Sequence, residues 1–79
     1  MSYGYSAKLV KLNSEADGSR LGVALGRVCI ARDISVSHVA SVIGVSRQTV
    51  YNWFCGTYEP STYCKNTVVD LTAEYKSSK

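Results

Sequence analysis

Four polar side chains sit close together in the middle of this chain: Arg47, Gln48, Tyr51 and Asn52. Their types suit the edges of DNA bases. An arginine can donate two bonds to guanine, and glutamine or asparagine can pair both ways with adenine. Tyr51 could touch a thymine methyl or a phosphate. Ser37, His38, Ser46, Thr49, Thr57 and Tyr58 lie around them as candidate phosphate contacts. On a helix starting after Ser46, the four reading residues fall away from the apolar set Val50, Trp53 and Phe54.

Such residues need elements that hold them. Residues 36–55 read as two short helices joined at Gly44. Val36, Val39, Ala40 and Ile43 form the inward set of the first, about 36–43, with Ser35 as its N-cap and Ser37, His38 and Ser41 facing out. Glycine at 44 supports positive φ and suits a helix C-cap. Val45 tucks into the core, and Ser46 caps the second helix, about 47–55, which Gly56 stops. A helix-turn-helix that places its second helix in the major groove is built this way.

Further out, the pattern stays helical. Leu21, Ala24, Leu25, Val28 and Cys29 predict an apolar stripe on a helix from Ser19, its expected cap, to about Arg32-Asp33. Gly22 and Gly26 each cost about 1 kcal/mol against alanine, so their shared face predicts a close helix approach. Pro60-Ser61 starts a last helix, about 62–75, striped by Val68, Leu71, Thr72 and Tyr75. Residues 1–18 are less legible. Tyr5, Leu9 and Leu12 permit a short helix over about 6–12, with Ser6 as cap, or an extended arm, and 13–18 read as a loop. The domain reading is an N-terminal arm or extra helix at 1–18, a helix-turn-helix domain at 19–76 and a frayed tail at 77–79.

The pattern resembles the DNA-binding domain of phage repressors and Cro proteins, and of the wider xenobiotic-response-element-like regulators. The resemblance covers about residues 20–72. It rests on the helix from Arg20 to Arg32, Ile34-Ser35, Ala40, Gly44-Val45-Ser46-Arg47, Val50, and Gly56 followed by Pro60-Ser61. That family commonly has Asn-Gly where this chain has Cys55-Gly56. It often has a phosphate-gripping glutamine at the start of the second helix, where Val36 and Ser37 stand here, leaving Ser37 or His38 to serve. The resemblance implies an all-α, lambda-repressor-like bundle of four to five helices. It also implies a homodimer on a palindromic operator of double-stranded DNA, and transcriptional control. Val68, Leu71 and Tyr75 are the candidate dimer contact, although closing the core is an equally good use. A repressor of phage or mobile-element origin is the expected function. An interaction module for a host protein such as RNA polymerase is the alternative.

Composition agrees with a small globular domain. The chain has 79 residues, 46% of them hydrophobic, and a net charge of +3. Residues 1–18 are neutral, with Lys8 and Lys11 against Glu15 and Asp17, while all four arginines fall between 20 and 47. No apolar run approaches the ~18 residues of a membrane span, and no signal peptide is visible, so a cytoplasmic protein is expected. Cys29, Cys55 and Cys64 form no metal-ligating pair with the lone His38, so no metal or cofactor is expected. They read as reduced, mostly buried thiols. No Ser/His/Asp set, paired carboxylates or phosphate loop argues for an enzyme. Trp53 reads as core rather than a stacking platform, and Arg20, Arg27 and Arg32 as a solvated helix face. Tyr3 and Tyr5 read as packing on the first helix rather than wrapping DNA. His38 reads equally as a solvated side chain or a phosphate contact.

Overall fold

Apolar spacing becomes helix at five places among the described residues. The structure is a computed structural model that describes residues 7–77. Its helices are α1 (Ala7–Glu15), α2 (Leu21–Arg32), α3 (Val36–Ile43), α4 (Arg47–Cys55) and α5 (Thr62–Ser77). No strand occurs among these residues, and the fold is a small all-α bundle. The expectations for Tyr3, Tyr5, Ser6 and residues 78–79 lie outside the described residues. No helix among those described is long and apolar enough to cross a membrane.

The helix ends show why the chain breaks where it does. The Ser35 hydroxyl accepts from the His38 N–H at 3.0 Å, and the Ser46 hydroxyl accepts from the Thr49 N–H at 3.1 Å. Both are N-caps that satisfy first-turn donors. Gly44 ends α3 at φ 88°, with its N–H donating to the Ala40 carbonyl at 2.8 Å. Space is no constraint there, since nothing lies within 4 Å of where a Cβ would stand. The glycine is needed for its backbone angle. Ser19 departs from expectation. Its backbone N–H and its hydroxyl both donate to Asp17 Oδ1, at 2.9 and 2.7 Å, so Arg20 occupies the N-cap position of α2 with no side-chain cap. Those two bonds, the backbone one foremost, hold the Asp17 carboxyl below its ordinary range.

The core gathers Leu9, Leu25, Cys29, Val39, Ala40, Val50, Trp53, Phe54, Val68, Leu71 and Tyr75. Burial pushes the Cys29 thiol up to about 12. Cys55 and Cys64 are free and half-buried. α2 packs against α1, α4 and α5, so its buried face is wider than one stripe. Gly22, Val23, Leu25, Gly26 and Cys29 are buried, while Leu21, Ala24 and Val28 are half-buried. The glycine face meets α4 as its spacing predicts. A Cβ on Gly22 would stand 2.6 Å from Trp53 Cβ and 2.8 Å from the Trp53 carbonyl oxygen. On Gly26 it would stand 2.8 Å from Phe54 Cγ.

One alternative is decided and one expectation changes. Val68, Leu71 and Tyr75 are only 0%, 8% and 8% exposed. Of the two uses expected for this stripe, closing the core is the one the structure shows. The first helix also runs on to Glu15, past the 6–12 expected, and takes in Asn13, which the loop reading had assigned to 13–18. The cause is long-range: Asn13 is buried and its Nδ2 donates to the carbonyls of Phe54 at 2.8 Å and Val23 at 3.2 Å. Phe54 lies in the last turn of α4, where carbonyls have no in-helix donor.

Candidate nucleic-acid interface

α4 is placed by its buried side. Val50, Trp53 and Phe54 are 0%, 4% and 0% exposed, which makes Trp53 a core residue and turns the opposite side outward. At about 100° per residue, Gln48 and Asn52 form the outward crest, and Gln48 Nε2 donates to Asn52 Oδ1 at 3.1 Å. Arg47 and Tyr51 lie on one flank, Thr49 on the other.

A groove runs along each flank. The first, about 710 Å³, is lined by Ser35, Val36 and Ser37 from the start of α3, and by Ser46, Arg47, Gln48 and Tyr51 from the start of α4, with Leu9 from α1. Among the described residues no acidic side chain lines it, and Arg47 is the cation there. Two helix N-termini open on this groove, each with its partial positive charge. The second groove, about 420 Å³, lies between Thr49, Asn52 and Trp53 on one side and Tyr58, Glu59, Ser61 and Cys64 on the other.

Among the expected base contacts, Arg47 and Gln48 are exposed. Tyr51 and Asn52 are half-buried, not free-standing. Tyr51 packs against the core. Burial raises the Cys55 thiol above its ordinary value, against smaller opposing effects of the Tyr51 hydroxyl and the Lys8 charge. Among the expected phosphate contacts, Ser37, His38, Ser46, Thr57 and Tyr58 are exposed and Thr49 is half-buried. The Ser46 hydroxyl is committed to its cap and to the Thr49 hydroxyl at 2.8 Å. His38 and Thr57 line neither groove.

The α2 arginines are exposed, but they are not a simply solvated face. Each donates to carbonyls at the end of another helix. Arg27 Nη2 reaches the carbonyls of Asn13, Ser14 and Ala16 at 3.4, 3.3 and 2.8 Å. Arg20 Nη1 reaches Gly56 at 3.2 Å, and Arg32 Nη2 reaches Lys76 at 3.1 Å. Cations at helix C-termini oppose the dipole there. None of the three lines either groove beside α4.

Sequence reasoning missed α1 as a wall of the first groove. The signal was present in the four-residue spacing of Leu9 and Asn13, but a polar residue at 13 masked it. Among the described residues no cluster of His, Cys, Asp or Glu could hold a metal ion. In comparisons with known proteins, no family model, curated protein or solved structure matches this chain.

Proposed function

We propose that this protein is a small DNA-binding transcriptional regulator that reads duplex DNA with α4. One observation carries the reading. Arg47 and Gln48 stand exposed on the first turn of a capped helix, at a groove without acidic lining that also receives the start of α3. A helix presented N-terminus first, with another beside it, is what docking a helix-turn-helix in a major groove requires, and this supports the reading. The resemblance to phage repressors extends the proposal to a repressor that occupies an operator and excludes polymerase. An isologous pair would set two copies of α4 about 34 Å apart on a palindrome. A surface other than Val68, Leu71 and Tyr75 must join them.

The test is selection of bound sequences from random duplex DNA, with wild type, Arg47→Ala and Gln48→Ala compared by gel shift. Wild type should enrich a sequence at low salt. Each variant should lose about 1–3 kcal/mol and relax the preference at the positions it reads. Absence of any enrichment at low salt overturns the reading.

A second reading is favoured by exposed apolar and aromatic side chains. Tyr63 and Tyr58 are 95% and 64% exposed, and Val42 is 50% exposed, which suits a protein partner such as polymerase. Salt separates the two. DNA binding weakens steeply with ionic strength because phosphate contacts release counterions, whereas an aromatic contact does not.

A further inference from the structure

α1 lies outside the segment that resembles repressor domains, yet it reaches the candidate interface. It runs in the same direction as α4, start beside start and end beside end. Ala16 stands beside Gly56 at the end of α4, Asn13 bonds the Phe54 carbonyl, and Leu9 joins Arg47, Gln48 and Tyr51 in the wall of the first groove. The helix is held there at two points, by the buried Asn13 amide and by the Arg27 guanidinium on its last carbonyls.

That anchoring decides which way the α1 lysines face. With Leu9, Asn13 and Ala16 turned inward, the 100° step puts Lys8 on the edge toward α4 and Lys11 on the opposite, outer side. Both are exposed. Val10 and Ser14, on the other edge, line a groove with Arg27, Ile30 and Ala31 of α2, so the Lys8 edge is the one on the α4 side, where Gln48, Asn52 and Cys55 follow one another at helical spacing. Glu15 shares that edge, but nearly two turns away, toward the Gly56 end. Meanwhile the α3 residues that line the groove, Val36 and Ser37, carry no long polar side chain to hold a phosphate, and His38 lines neither groove.

We propose that Lys8 is a DNA-phosphate contact flanking α4, and that α1 is a rigid second wall of the interface that supplies it. This rests on the DNA-binding reading above. The commitment is to phosphate rather than to a base because an ammonium on a flexible stem is a hydrated point charge without bidentate geometry. It therefore positions the duplex and carries no sequence information.

Binding of duplex DNA across a salt series tests this, with wild type, Lys8→Ala, Lys8→Arg and Lys11→Ala compared. Both alanine variants remove one charge from the same helix, so only placement distinguishes them. Lys8→Ala should weaken binding several-fold, equally for all sequences, and make the salt slope shallower by about 1. Lys8→Arg should restore both, and Lys11→Ala should leave the slope as in wild type. If wild type binds and Lys8→Ala behaves as Lys11→Ala does, the Lys8 inference is overturned and the DNA reading stands. If wild type binds no duplex at low salt, the DNA reading fails and this inference with it. Helical circular dichroism checks that every variant is folded.

Discussion

Asn13 shows how much one polar residue can organise here. Its buried amide joins three helices, since it sits on α1 and donates to carbonyls of α2 and α4. A buried acceptor left without its donor costs about 1–3 kcal/mol. Asn13→Ala should therefore destabilise the fold by that amount in urea denaturation, although the site is far from the proposed reading residues. An unchanged midpoint would mean that the amide is not needed. Arg27 supports the same helix from outside through three carbonyls. Both residues look unremarkable in the chain, because their partners are 10 to 41 positions away.

At the scale of elements, two kinds of glycine do different work. Gly22 and Gly26 let the α2 backbone approach α4 closely, Gly22 against the backbone and Cβ of Trp53 and Gly26 against the Phe54 side chain, while Gly44 permits a left-handed turn between α3 and α4. Substitution separates the two roles. Gly22→Ala gains about 1 kcal/mol of helix propensity but drives a methyl into Trp53. Overpacking of this kind typically costs about 1–3 kcal/mol, and contact with the rigid Trp53 backbone puts it at the upper end, so the net change should be destabilising. Gly44→Ala meets no atoms and should cost about 1–2 kcal/mol in left-handed strain alone. Gly44→Asn should recover much of that loss, because asparagine tolerates αL, whereas Gly22→Asn should be worse than Gly22→Ala. Thermal melts of the four variants check this ordering. Equal rescue by asparagine at both sites would contradict it.

For the molecule as a whole, the question is what surface remains once the core is closed. A 79-residue chain is stable by only about 4–12 kcal/mol, and truncating a buried leucine costs about 2–5 of that. Leu71→Ala should therefore shift the urea midpoint strongly and leave any self-association of the folded protein unchanged by sedimentation. A variant that kept its stability but lost a dimer would return Leu71 to an interface. Among the described residues, the exposed Tyr58 and Tyr63 and the two grooves beside α4 are surfaces open to partners.

Local chemistry was legible along the chain. Ser35, Gly44, Ser46 and Gly56 are helix boundaries because capping and positive φ depend on a few neighbouring atoms, and the apolar period around Val50 and Trp53 turned Arg47 and Gln48 outward. Pairing across distance was not legible. Asp17 took the hydroxyl that Ser19 was expected to give to α2, Asn13 became core, and the Val68–Leu71–Tyr75 stripe went inward. Nothing in the order of residues ranks those competing partners; only packing α1, α4 and α5 around α2 brings the carbonyls, the glycine face and the apolar stripes close enough for one set of contacts to win.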